Sequence, residues 1–120
     1  MASPRIHRRS RCPLAATLDI VGDRWMLVIL RDVLRYGSVR FKRLLEADER
    51  IATNVLAGRL KKLEDAGLLR SAPYQENPPR LEYMPTEAAW ALLPAIEALA
   101  TWGKAHLDDV DQGTIDFGDR

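Results

Sequence analysis

Residues 51–67 read IATNVLAGRLKKLEDAG. Leu56, Leu60 and Leu63 recur at the i, i+4, i+7 spacing of one helical face, with Ile51 and Val55 flanking them. This period predicts a helix from about Ala52 to Ala66, closed by Gly67. At about 100° per residue, Asn54, Gly58 and Lys61 fall opposite the leucines, and Thr53 and Ala57 border them near the N-terminal end. An amide, a hydroxyl and an amine therefore surround two residues too small to rise above the helix surface. Gly58 costs a helix interior about 1 kcal/mol relative to Ala. The low profile is either tolerated on a solvated face or needed for a close approach.

Upstream, Ser38 is placed to cap a short helix over Val39–Ala47. Phe41, Leu44 and Leu45 would turn inward there, leaving Arg40, Lys42 and Arg43 on the surface. The polar turn Asp48-Glu49-Arg50 joins this helix to the next. Before it, residues 25–36 (WMLVILRDVLRY) are apolar all round, as in a helix buried on most sides, and Gly37 stops them. Asp32 shares a side with Trp25 and Ile29 and needs a cationic partner, for which Arg24 and Arg40 are the candidates. Asp23 is placed to cap this helix. A first helix opens at Pro13 and ends at Gly22, with Leu14, Leu18 and Val21 at helical spacing.

Downstream, two short extended runs, Leu68–Gln75 and Leu81–Met84, flank the turn formers Glu76-Asn77-Pro78-Pro79-Arg80. They predict a β-hairpin with a stiff tip carrying Arg80. A long helix then runs from Thr86, its N-cap, to about Leu107, bent at Pro94. Leu92, Leu93, Ile96, Leu99, Ala100 and Leu107 form its apolar stripe, with Trp90, Ala98 and Ala105 on another side. The fold class is mainly α with a small β-hairpin: four helices, a hairpin and a closing helix. This is the order of a winged helix-turn-helix, in which the second helix of the pair enters a DNA major groove.

The residue chemistry suits that geometry. Asn makes bidentate contacts to adenine, Thr donates, accepts or touches a thymine methyl, and Lys reaches guanine or phosphate. Ala57 and Gly58 let the backbone close on base edges. Arg80 on a stiff turn fits a minor groove or a phosphate, and Arg40, Lys42 and Arg43 fit the phosphate backbone. For any one arginine, ordinary surface solubility is an equally good account.

Composition narrows the classes. With 120 residues, 47% hydrophobic and 29% charged, the chain is one ordinary globular domain by length. Residues 1–80 hold 16 Lys and Arg against 9 Asp and Glu, whereas residues 81–120 hold 2 against 8. A basic front and an acidic rear fit a face that meets a polyanion. We divide the chain into a flexible basic arm (1–11), a core domain (12–107) and an acidic mobile tail (108–120). No apolar run approaches a membrane span and no signal peptide is read. The single cysteine excludes internal disulfides and multi-thiolate metal sites, which favours a reducing cytoplasm. His7 and His106 have no orienting partners in the pattern, so no catalytic constellation and no cofactor is expected. The competing class is a protein–protein adaptor of the same fold. RNA binding lacks the aromatic platform it would need.

The ordered set Cys12-Pro13, Gly22-Asp23-Arg24-Trp25, Ile29-Leu30-Arg31-Asp32, Gly37 and Arg40-Phe41 resembles the HxlR-type, MarR-like winged-helix regulators of bacteria. The second half agrees through Ile51, Val55-Leu56, Arg59-Leu60, Leu63-Glu64, Gly67-Leu68, Tyr74, Pro78-Pro79-Arg80, Glu82-Tyr83, Thr86 and Trp102-Gly103. The resemblance covers about Cys12 to Leu107. It implies a homodimer on double-stranded DNA with a pseudo-palindromic operator, paired through the first and last helices, the side around Trp90 being the suited one. Some members of the family sense oxidants or electrophiles through a cysteine at this position. The resemblance therefore makes Cys12, beside Arg11 at a helix start, the candidate sensor for an oxidant or small-molecule effector. The alternative is a small buried apolar residue near that helix start. Ala52 stands where the family often has a capping Ser, so the helix is expected to have a weaker cap there or to start one residue later at Thr53. Pro85 replaces a usual Leu, so the second strand is expected to end by Met84.

Overall fold

The computed structural model describes residues 8–118. Helix α1 (Pro13–Val21) leads through Gly22 into α2 (Met26–Tyr36). Asp23 caps α2 as expected, its Oδ1 accepting from the N–H groups of Trp25 at 2.8 Å and Met26 at 3.0 Å. Gly37, at φ +77°, turns the chain out of α2 through a conformation that a side chain resists.

The next element differs from the expectation of one helix over Val39–Ala47. Val39–Arg40 form a strand, β1, and only Phe41–Leu45 form the helix, α3. Ser38 therefore caps nothing, and Arg40 belongs to the sheet. β-branched Val39 is drawn into pairing with Tyr83, and its side chain is buried. Helix α4 (Thr53–Asp65) lies within its expected bounds and starts one residue late. Its N-cap, Ala52, supplies no side-chain hydrogen bond. Gly67 ends the turn after it at φ +79°.

Strand β2 (Leu69–Glu76) is as long as expected but shifted by one residue, β3 (Pro79–Pro85) is longer than expected, and β1 completes a sheet of order β1-β3-β2. Pairing runs from Leu69↔Pro85 to Glu76↔Pro79, leaving Asn77-Pro78 as the tip, joined by a cis peptide. Arg80 is thus one pair below the tip, opposite Gln75. Pro85 is included, contrary to expectation, because the last residue of a strand need not donate to the ladder.

The closing helix is broken rather than bent. Thr86 caps α5 (Glu87–Trp90), accepting from Ala89 N–H, and α6 spans Leu93–His106. Pro94 cannot donate to the carbonyl of Trp90, and the chain restarts as a new helix. The break separates Trp90 from the apolar stripe of α6, and that stripe is narrower than expected, with Ile96 buried and Leu99 left outside on the same helix. Trp90 packs half-buried against the core, whereas Leu99 and Leu107, expected inside, are 57% and 51% exposed. Trp102 joins Leu99 on the uncovered side at 57%.

One core unites all of these elements. Leu30, Val33 and Leu34 of α2 meet Leu44 of α3 and Leu56, Leu60 and Leu63 of α4 with almost no exposure. The acidic segment expected to be mobile contributes to it: Phe117 packs against the core and Gly118 N–H donates to Leu34 O at 2.9 Å. The apolar Ile115 and Phe117 explain this, since a phenylalanine and an isoleucine supply burial that a purely acidic tail lacks. Most of the arm, residues 1–7 with His7, lies outside the described residues. Its end is tied down: Arg9 Nε meets Asp19 Oδ1 at 2.7 Å.

Candidate nucleic-acid interface

Helix α4 is held at three points, and these fix which face it shows. Arg59 Nε lies 2.6 Å from Asp23 Oδ2, an ion pair in which the N–H points off the line of a good hydrogen bond. Ser71 Oγ donates to Glu64 Oε2 at 3.1 Å, joining the helix to β2. Thr86 Oγ1 donates to Gly67 O at 2.7 Å just past the helix end. Asp23 serves both α2 and α4. Burial raises its carboxyl pKa, but the Trp25 and Met26 N–H groups together with Arg59 outweigh burial and hold it below its ordinary value.

With the leucines turned in, Thr53, Asn54, Ala57, Gly58 and Lys61 all stand exposed on the outer side. A Cβ added at Gly58 would meet nothing within 4 Å, so packing does not require glycine there. Lys61 Nζ is 3.9 Å from Asp65 Oδ2, a loose pair one turn along that water competes for. Ala52 leaves the first N–H groups of α4 without a side-chain cap, and its own carbonyl accepts from Leu56.

The expected phosphate contacts separate. Arg80 is exposed on the wing, and Lys42 is exposed on α3. Arg40, in β1, holds its guanidinium 3.8 Å from the centre of the Tyr74 ring, which braces it against the wing. Arg43 is engaged on the α2 side: it donates to Tyr36 Oη at 3.2 Å, lies 4.7 Å from that ring, and pairs with Glu46 at 3.8 Å. The contact with Tyr36 is the main reason its pKa is raised. Arg43 is thus occupied where Lys42 is not.

The partner of Asp32 is neither Arg24 nor Arg40. Arg24 lies over the Trp25 ring at 4.8 Å, Arg40 is taken by Tyr74, and Arg31 binds Asp32 Oδ1 at 2.9 Å. Arg31 also makes a two-pronged contact to Glu49, at 2.8 and 2.9 Å. This bridge anchors the turn that presents α4 and went unread in the sequence, because a pair eighteen residues apart has no periodic signal. Its hydrogen bonds to Glu49, more than the nearby Asp32, raise the Arg31 pKa. The same bonds lower that of Glu49 below the ordinary 4.5.

That shift has a sign. A carboxyl depressed in the folded state stabilises above its ordinary value, and the stabilisation is lost as pH falls through the folded value. Glu49→Gln is expected to cost about 0.2–1 kcal/mol near neutral pH, as partly exposed pairs do. It should also flatten the decline in melting temperature below pH 4.5, the ordinary value of Glu49. Melts from neutral to acid pH check this; parallel curves for parent and variant would refute it.

Sheet, helix-turn-helix and bare outer face together define a winged-helix transcriptional regulator. Residues 20–111 match the model of the HxlR-like helix-turn-helix family, and the chain belongs to that family. An uncharacterised HTH-type transcriptional regulator of Halalkalibacterium halodurans is 36% identical over 91 residues, covering 76% of this chain and 80% of that protein. The fold is similar to that of the redox regulator HypR in its oxidised form (TM-score 0.73, 29% identity, 81% of this chain and 99% of the other). It is also similar to the reduced form of the regulator YodB from Bacillus subtilis (TM-score 0.68, 27% identity, 85% and 100%).

Among the described residues no group of His, Cys, Asp and Glu could hold a metal ion, and no helix is long and apolar enough to cross a membrane.

Proposed function

We propose that the chain binds a specific, pseudo-palindromic DNA operator as a homodimer, reading bases with Thr53, Asn54, Ala57, Gly58 and Lys61. The observation that carries this reading is the α4 face itself, four neighbouring side chains exposed around a glycine that packing does not need. Asn54 and Lys61 read base edges, and Ala57 and Gly58 permit the approach. Arg80, Arg40 and Lys42 hold phosphates, with Arg43 contributing from its tyrosine-braced position. The uncapped N–H groups at the start of α4 favour a phosphate there. Dimerisation uses α1 and α6, whose Leu14, Leu18, Leu99 and Trp102 are 67%, 43%, 57% and 57% exposed. Side chains of that size left bare on two helices need a cover.

Selection of bound sequences from a random DNA pool, followed by binding measured against salt, tests this reading. Asn54→Ala and Lys61→Ala are each expected to cost about 1–3 kcal/mol on the selected site. Arg80→Ala should weaken specific and random DNA alike and flatten the salt dependence by about one unit. An adaptor domain would select no sequence, and parent-like binding by both helix variants would displace the reading face.

A second feature points to redox response through Cys12. The thiol is exposed at the N-cap of α1. The N–H groups of Ala15, then Leu14, lower its pKa below the ordinary 9.0, overcoming a slight desolvation. Two solved structures similar in fold belong to regulators in defined redox forms. A lowered pKa enlarges the thiolate fraction near neutral pH. Cys12 should therefore react with iodoacetamide at pH 7.5 roughly several-fold faster in the folded chain than in denaturant. Mild peroxide or a quinone should alter operator affinity in the parent and leave Cys12→Ser unaffected. Equal alkylation rates, or an oxidant response that survives in Cys12→Ser, would remove Cys12 from this role.

A further inference from the structure

The segment after α6 forms an arch over that helix. Asp109, at φ +58°, reverses the chain, a left-handed conformation that Asp tolerates better than most residues. Gln112 Nε2 then donates to the carbonyls of Lys104 at 3.3 Å and Val110 at 3.5 Å, fixing the near end to the last turn of α6. The far end is fixed by Phe117 in the core and by the Gly118–Leu34 hydrogen bond. A Cβ at Gly118 would come within 3.2 Å of Leu34 O and 3.4 Å of Arg35 O, so only a glycine seats there without displacement.

Between these two anchors the arch stands off the helix and leaves a half-open cleft of about 480 Å³. Its floor includes Ile96 and Ala100, and its roof includes Val110, Ile115 and Phe117. Glu97, Lys104 and Asp111 also line it, two carboxylates to one ammonium. The Ile96–Ala100–Gly103 side of α6 lies about a quarter of a turn from the Leu99–Trp102 side. Pairing of two chains through Leu99 and Trp102 would therefore leave this cleft in place.

We propose that the cleft under the arch is a binding site for a small, uncharged aromatic molecule carrying one hydrogen-bond donor. The volume is that of a small-molecule cleft. The apolar floor and roof take a ring system, and Glu97 or Asp111 accepts from the donor. The excess of carboxylate disfavours an anion of the same shape.

The inference stands apart from DNA reading, since no DNA enters its test. Phenylnaphthylamine, an uncharged aromatic with one N–H, is titrated into the full chain and followed by its fluorescence. Saturation at one probe per chain is expected. The anionic relative anilinonaphthalene sulfonate should bind at least tenfold more weakly. Ala100→Phe, which fills the floor, and Ile115→Asp, which puts a charge in the roof, should each weaken phenylnaphthylamine at least tenfold. Circular dichroism establishes that each variant is folded; if Ala100→Phe is not, Ile115→Asp alone decides, because it alters only the arch. Unsaturable binding, equal affinity for both probes, or parent-like binding by a folded variant would overturn the proposal.

Discussion

Gly58→Glu is expected to abolish operator binding, with at least a hundredfold loss of affinity, while leaving the fold as stable as the parent or more so. The two effects separate because of where Gly58 sits. Its Cβ position is open, with nothing beyond the helix's own backbone within 4 Å. Glycine is the poorest ordinary helix former, and replacing it mid-helix by a good one recovers about 0.5–1 kcal/mol. On DNA the same carboxylate would stand between the helix and a polyanion. It would hold the backbone off the base edges and add like-charge repulsion worth several kcal/mol. Thermal melts and titration with the selected site measure both quantities on one sample. A variant that binds as the parent does would show that this side of α4 does not face DNA.

Leu56→Ala is expected to be the more damaging change to the fold. Leu56 is fully buried, one turn from Leu60 and among the leucines that join α4 to α2. Removing a buried isobutyl group loses its transfer free energy and leaves a cavity that the neighbours fill only partly. Such changes cost about 2–5 kcal/mol. That is a large part of the 5–15 kcal/mol typical of a whole domain. Urea unfolding followed by circular dichroism checks it, with a lower midpoint at an unchanged slope as the expected signature. A loss below about 1 kcal/mol would mean that α4 is not the central element of the core. Gly58→Glu and Leu56→Ala thus divide one helix into a face that serves binding and a face that serves stability.

Periodicity made α1, α2 and α4 legible, because each carries a long apolar stripe or an apolar girdle whose spacing is set by the helix itself. Gly22, Gly37 and Gly67 marked ends for the same local reason. The Thr53–Lys61 face was readable as the complement of the leucine stripe. The two-residue strand Val39–Arg40 was not, since it exists only because β3 lies alongside to pair with it. The break at Ala91–Leu92 was signalled by Pro94, but proline alone does not say whether a helix bends or restarts. Trp90 packs half-buried against the core, while Leu99, three residues past buried Ile96 on α6, stays outside.

From the sequence alone came the helix-turn-helix order, the wing, the family and the identity of the exposed side chains on α4, because these follow from spacing within single segments. Tertiary structure decided which charges pair. Arg31 chose Asp32 and Glu49, Arg59 chose Asp23, and Arg43 turned to Tyr36. It also carried residues 108–118 back over α6 to form a cleft. Long flexible cationic side chains and a reversing tail find partners by proximity in space, which local spacing does not encode.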